Sequence, residues 1–509
     1  VDVFTAAENI VLGLDEKGKL DRKLVASKVK EISDKYGFEI DPNKKTLSIK
    51  VNEDFMYILN DLEFEFTSYE AGIHNSLSSK FSKQAFKQLR RFKTTGKWLI
   101  TQEKFKELGV LVPELVIPNR RLDLSKFACI ACDQYNAEPK YWDEVKEYVG
   151  KEPSSLYFIM PEAWLAKGGQ PDSEEHQNHQ DLLAANMKFF LVDGSLDELD
   201  PGMMYVKRTI KNGKVRRGLV LAIDLERYEY TEGNKALIRA TEKTVKERIP
   251  ARAVIRSKAP LECPHIMLLY ADKESKFNNL LDEIGGNNPF YDFDLMKEAG
   301  HLTGYFISEE EKLEKIADTL LDLKAKAEDG MLFAVGDGNH SLAAAKAHWD
   351  KIKKFIPEDQ RNDHPARFAL VELINLYDES MIFEPIHRIV KNVNPEDVKK
   401  VIGDGPYDLQ TLQPKLDEYL EAHPEAMIDY IHGAETAKKL EAEDPSHSLA
   451  IVFDSFDRDS LFKDVIKNGS LVRKSFSMGI ADDKRFYFES RRITRINKEH
   501  IVPNASWNL

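Results

Sequence analysis

Six consecutive residues, Gly336-Asp337-Gly338-Asn339-His340-Ser341, set two glycines among four side chains able to hold protons, metals or phosphate. An apolar run, Met331 to Val335, precedes them and Leu342-Ala343-Ala344-Ala345 follows. The spacing predicts a strand, a glycine turn and a helix starting near His340. Glycine permits positive φ and lets backbone approach a ligand closely. A helix start presents N–H groups without intrahelical partners and a partial positive charge, which suits phosphate. Asp337 is the candidate ligand for Mg2+, or a base towards a hydroxyl. His340 is the candidate to hold or protonate a phosphate oxygen, and Asn339 reads as the N-cap. Aspartate between glycines is also ordinary turn chemistry. Four polar groups exceed what a turn needs, which favours a site at Gly336 to Ser341.

A phosphorylated ligand needs counter-charge. Arg239, Lys243, Arg248, Arg252 and Arg256 fall in one polar stretch, with the hydroxyls of Thr241 and Thr244 and with Glu242 as a further acid–base candidate. The same stretch reads equally well as a surface helix laced by Arg–Glu ion pairs. His387 and Arg388, with Arg367 and Glu372, are candidates to approach the same crevice. His176 and His179 read as a solvated helix face. No Walker phosphate loop, nucleophile elbow or dinucleotide fingerprint is found.

The elements that must position these residues are a mixture of hairpins and strand–helix units. Strands are expected at Phe127 to Cys132, Leu156 to Met160, Tyr205 to Ile210, Val215 to Leu225, His265 to Ala271 and Phe368 to Asn375. Asn212-Gly213 marks a hairpin. Helices are expected at Pro139 to Tyr148, Ser173 to Phe190 and Glu309 to Glu328. This texture implies an α+β, mixed α/β fold: a mixed sheet flanked by helices. A chain of 509 residues exceeds one ordinary core. Three parts are expected: an added N-terminal α+β domain over 1–103, a main body over 104–391 carrying the Gly-Asp-Gly-Asn-His site, and a C-terminal α+β region over 392–509. In the first, Lys23 to Tyr36 has helical spacing and Thr46 to Val51 alternates as a strand.

Between Lys80 and Lys106 nine lysines and arginines face one acid, Glu103. On a helix, Phe81, Ala85, Phe86 and Leu89 would pack inward and the bases face water. The same bases form a docking surface for an acidic protein or polymer. The net charge of −13 argues against coating nucleic acid with the whole surface. Cys129 and Cys132, three apart on an apolar run without a second pair, read as core residues rather than a metal site. With three cysteines, no apolar stretch of membrane-spanning length and no basic start of a signal peptide, a cytoplasmic protein is expected.

Several phrases resemble the domain of unknown function 1015 family: Cys-Asp-Gln-Tyr at 132–135, Arg-Ala-Thr-Glu at 239–242, Pro-His-Ile-Met at 264–267, Gly-Asp-Gly-Asn-His-Ser-Leu at 336–342, Glu-Pro-Ile-His-Arg at 384–388 and Phe-Ser-Met-Gly at 476–479. The resemblance runs from about residue 105 to the end and leaves 1–103 outside it. More distantly, the strand–turn–helix corner resembles the nucleotide site of the ParB, sulfiredoxin and free-serine-kinase group. That implies binding of a nucleotide or phosphorylated metabolite, with Mg2+ as companion. Many relatives read Asp-Gly-His-His-Arg at this corner, whereas Ser341 stands here in place of the arginine.

Two function classes remain open. One is a small-molecule phosphotransferase, with Asp337, His340 and Glu242 as catalytic groups. Gly336, Gly338, Asn339, Ser341, Arg239, Thr241, Thr244, Arg248, His387 and Arg388 would be its ligand contacts. The other is a non-catalytic scaffold that docks on an acidic partner through the basic N-terminal unit. A nuclease ranks third, for want of a carboxylate cluster.

Overall fold

The computed structural model describes residues 38–39, 50–51, 97–136, 138–165, 174–243, 249–472 and 474–494. Two compact units divide the chain, Val1–Leu99 and Ile100–Leu509. In the first, the described residues are an antiparallel pair, Phe38–Glu39 with Lys50–Val51, and residues 97–99 at the start of the helix Lys97–Glu107. The helix expected at 23–36 and the apolar face expected at 81–89 lie outside the described residues.

The second unit is built on a large mixed sheet flanked by helices. The elements that position the site are, in chain order, α1 (Glu174–Phe190), β1 (Met203–Thr209), β2 (Val215–Asp224), β3 (Ile238–Ala240), α2 (Ile249–Lys258), β4 (Met267–Tyr270), β5 (Phe333–Asp337), α3 (Asn339–Ile352) and β6 (Phe368–Asn375). Across the sheet the order is β1, β2, β6, β4, β5, β3, extended beyond β1 by His301–Ile307 and Tyr291–Asp294. β5 runs parallel to β3 and antiparallel to β4; β4 is parallel to β6. The hairpin between β1 and β2 turns at Asn212-Gly213, where Gly213 takes φ +82° and Asn212 Oδ1 accepts from the Lys214 N–H at 2.9 Å.

The central strands are buried on both faces, so they read as unbroken apolar runs such as Leu219 to Ile223 and Phe333 to Val335. Trp142, on the helix Pro139–Val149, and Trp349, on α3, are fully buried. A four-stranded sheet joins Leu261–Glu262, Ser490–Arg492, Glu114–Pro118 and Leu196–Pro201. A smaller three-stranded sheet, Met427–Ile431, His387–Lys391 and Ser448–Ile451, carries its own apolar core around Val390, Leu416 and Ile451.

Three local expectations change. Leu156 to Met160 is buried but forms no strand. Ser155–Tyr157 is a 3-10 turn whose Ser154 hydroxyl accepts from the Leu156 N–H. A five-residue apolar run has no periodicity to separate the two outcomes. The strand expected at Phe127 to Cys132 shrinks to Cys129–Ile130, because Asp123 caps a helical turn over Leu124–Phe127. The polar stretch from Arg239 to Arg256 is not one surface helix: Arg239 lies within β3, and α2 begins only at Ile249.

Candidate functional site

β5 ends at the glycine turn. There the pairing with β4 slips: Met267 faces Asp337 and Leu268 faces Val335, which leaves Gly336 as an extra residue in a bulge. A Cβ on Gly336 would stand 2.8 Å from both Leu269 Cγ and Met478 Sδ, so no side chain fits. Gly338 takes φ +82° and caps α3, its backbone pressed against Ile266. Asn339 is therefore the first helical residue rather than the N-cap. Its buried amide turns back to β3, where Oδ1 accepts from the Thr241 N–H and Nδ2 donates to Thr241 Oγ1, both at 3.2 Å. Thr241 Oγ1 in turn donates to the Val335 carbonyl at 2.5 Å. This clamp sits behind the turn and holds the helix start in place.

The turn opens into a cavity of about 830 Å3. Its polar lining includes Glu242, Asp337, His340, Ser341, Lys474 and Lys484, and its apolar lining Phe158, Met160, Leu183, Met187 and Leu261. Asp337 accepts the Gly338 N–H through Oδ1 at 2.9 Å and pairs through Oδ2 with Lys484 Nζ at 3.1 Å. Burial pushes the Glu242 carboxyl above the usual carboxylate range. The charge of Lys474 pulls against this and that of Asp337 adds to it. Lys474 itself is held at φ +58°, in the left-handed region. Its backbone N–H bonds to Glu242, and its carbonyl accepts from Arg388 Nη1 at 2.8 Å.

A second cluster lies beside Ser341. His265 Nε2 is 3.5 Å from Ser341 Oγ and 4.0 Å from Asp133 Oδ2; its Nδ1 is 2.7 Å from the Tyr487 hydroxyl. Burial pushes the Asp133 carboxyl up, but His265, Gln134 and Lys484 outweigh it and hold the group below the usual range. Cys132 lines the cavity, while Cys129 sits in the core with its thiol pushed up to about 11 by burial.

Asp337, Glu242, His340, Ser341, Gly336, Gly338 and Asn339 thus line one cavity. Among the described residues, Arg256 is the one expected arginine that lines the cavity. Arg239 is buried and reaches the opposite end of β5, bonding the Ala236 carbonyl at 2.9 Å and Asp329 Oδ2 at 3.0 Å. Arg388 is buried behind the Lys474 loop between Tyr430 and Phe453, and His387 Nδ1 accepts the Phe453 N–H. Arg256 reaches the cavity edge, but its guanidinium is engaged by Glu262. Lys243 pairs with Glu232, Arg367 with Asp224 and Glu372 with Arg485. Thr244, Arg248 and the Arg252 side chain lie outside the described residues, as does that of His176.

Sequence reading missed Lys474, Lys484, His265, Asp133 and Tyr487. One signal was available: Cys-Asp-Gln-Tyr, Pro-His-Ile-Met, Glu-Pro-Ile-His and Phe-Ser-Met-Gly all contribute residues to the cavity wall. Among the described residues no group of three or more His, Cys, Asp or Glu side chains is arranged to hold a metal ion. Among them, too, no helix is long and apolar enough to cross a membrane.

A family model described as protein of unknown function (DUF1015) matches residues 116–487, and one described as initiator replication protein, WH1, matches residues 8–90. A probable replication protein of Bifidobacterium longum is 35% identical over 68 residues, 13% of this chain and 23% of that protein. A guanosine import ATP-binding protein of Bacillus subtilis is 49% identical over 53 residues, 10% of each. The chain spans less than a quarter of the length of these curated relatives. Among solved structures, a free serine kinase mutant in complex with AMP aligns at 10% identity over 55% of this chain and 93% of its own, with a TM-score of 0.31. A conserved hypothetical protein from Pyrococcus furiosus aligns at 11% identity over 54% and 94%, with a TM-score of 0.27.

Proposed function

The chain belongs to the DUF1015 family of proteins of unknown function, and we propose that its Gly336–Ser341 turn binds the phosphates of a nucleotide or phosphorylated metabolite. One observation carries the reading. The start of α3 and two lysines, Lys474 and Lys484, meet in a single cavity large enough for such a ligand. The first turn supplies N–H donors and a positive dipole end; the lysines supply full charges. Small-molecule phosphoryl transfer is the concrete form of the proposal, with a cytoplasmic setting. Glu242, its carboxyl pushed above the usual range by burial, suits proton transfer to or from a hydroxyl. Asp337 suits Mg2+, which takes one or two protein carboxylates and completes its shell with phosphate and water. A bound Mg2+ would neutralise phosphate charge.

The fit is testable because Asp337 is already paired with Lys484. In calorimetric titrations of ATP, Asp337→Ala weakens binding about tenfold when Mg2+ is present. With the metal chelated, affinity is unchanged or tighter, because Lys484 is released to the phosphates. Equal effects in both conditions would remove the metal role, and absence of any binding by the wild-type chain would end the phosphate reading.

A second reading concerns the N-terminal unit. The match of residues 8–90 to an initiator replication protein model, together with the bases between Lys80 and Lys106, supports nucleic acid as the acidic partner. The full chain then binds duplex DNA with an affinity that falls steeply with salt, and a Lys80→Glu, Lys83→Glu, Lys87→Glu triple variant loses about tenfold or more in fluorescence anisotropy at low salt. Unchanged binding in the triple variant would sink this reading.

A further inference from the structure

Ser341 opens into the cavity from the first turn of α3, its Oγ 3.5 Å from His265 Nε2. That is the reach at which a hydroxyl and its base stand before a substrate draws them together. Hydrogen bonding on the far side of the imidazole decides which nitrogen is basic. The Tyr487 hydroxyl has one proton, and it points to Cys132 Sγ at 3.1 Å. The backbone N–H of Cys132 donates to the same phenol oxygen at 3.1 Å. With the phenol proton so placed, His265 Nδ1, 2.7 Å away, is assigned as the donor to that oxygen, which leaves the Nε2 lone pair facing Ser341. Asp133 Oδ2, 4.0 Å from Nε2, is placed to stabilise the imidazolium that forms when the proton arrives.

We infer that Ser341 is a covalent nucleophile with His265 as its base, and that this cavity hydrolyses carboxylic esters bearing an apolar acyl group. Ser341 Oγ bonds to the ester carbon as its proton passes to His265 Nε2. The carbon–oxygen bond to the alcohol then breaks, and the alcohol leaves with that proton. Water attacks the acyl-serine, gives one proton back through His265 to Ser341 Oγ, and releases the acid. Backbone N–H groups of the first turn of α3 face the developing oxyanion. Phe158, Met160, Leu183 and Met187 offer the acyl group an apolar wall. Tyr487 is a positioning residue, since it fixes the imidazole without touching the substrate.

The inference shares the first turn of α3 with phosphate binding, but it turns on the Ser341 hydroxyl and His265 rather than on Lys474 and Lys484, so the two fail separately. The test is labelling of the full chain with an alkyl fluorophosphonate in the absence of nucleotide, followed by peptide mass spectrometry. The phosphorus–oxygen bond to serine forms, fluoride leaves, and the label is expected on Ser341. Ser341→Ala abolishes it, His265→Gln slows it about 100-fold and Tyr487→Phe slows it several-fold. Far-UV circular dichroism shows that each variant is folded. Wild-type p-nitrophenyl butyrate hydrolysis disappears with the label. No label on the wild-type chain, label retained by Ser341→Ala, or a folded His265→Gln that labels at the wild-type rate would each overturn the inference.

Discussion

Arg485→Met unfolds the second unit with about 3–5 kcal/mol less stability than the wild-type chain. Arg485 is 3% exposed and lies between two carboxylates that are equally buried. Its Nη1 is 2.6 Å from Glu372 Oε2 and its Nη2 is 2.7 Å from Glu489 Oε2. Nε donates to the Pro264 carbonyl at 3.1 Å, the residue before His265, so the same group supports the cavity wall. Tyr291 donates its hydroxyl to Glu489. Methionine fills similar volume but supplies no charge, so the loss reads the two stranded carboxylates rather than a void. Urea unfolding followed by tryptophan fluorescence measures it, and a loss under about 1 kcal/mol would show that Arg216, 3.8 Å from Glu372, suffices alone.

The pH dependence of the same variant follows in sign. Burial pushes Glu372 up, yet Arg485 and Arg216 outweigh it and hold the carboxyl below its ordinary 4.5. A depressed folded value stabilises the protein above the unfolded value and loses that contribution as pH falls through the folded one. Removing Arg485 reduces the depression. The variant's stability is therefore lower at neutral pH and falls less steeply into acid than that of the wild type.

This network also shows where sequence reading reaches its limit. Local patterns were legible when the chemistry that fixes them is local. Asn212-Gly213 required a hairpin, Gly336 and Gly338 marked a strand–turn–helix corner, and Phe368 to Asn375 formed its strand as expected. Where long-range burial decides, periodicity was silent: Leu156 to Met160 is as apolar as a strand but packs as a turn. Charge was the least legible property. Arg239 lies on β3, directly beside β5, yet its side chain runs to Asp329 at the other end of that strand. Lys484 lies far along the chain from Asp337 and meets it through the return of the chain to the main body, where Phe486–Tyr487 pairs with Cys129–Ile130. No local signal encodes that meeting.

The cations that matter for an anionic ligand are therefore expected to separate cleanly from those the sequence favoured. Lys484→Ala weakens ATP or pyrophosphate binding about 10- to 100-fold, the range of one charge-assisted hydrogen bond of roughly 1.5–3 kcal/mol. Its side chain is 11% exposed and little screened. Lys474 is exposed, so Lys474→Ala costs only a few-fold, and that effect fades with added salt. Arg239→Ala leaves affinity within about twofold but lowers stability, because the Ala236 and Asp329 carbonyls lose their donor. The ion pair with Asp337 complicates Lys484→Ala, since it strands an acid beside the ligand's phosphates. Titrating Lys484→Ala in the Asp337→Ala background removes that repulsion and isolates the direct contact. If the double variant binds as tightly as Asp337→Ala alone, Lys484 only neutralises Asp337, and the anion is held by the helix start without it.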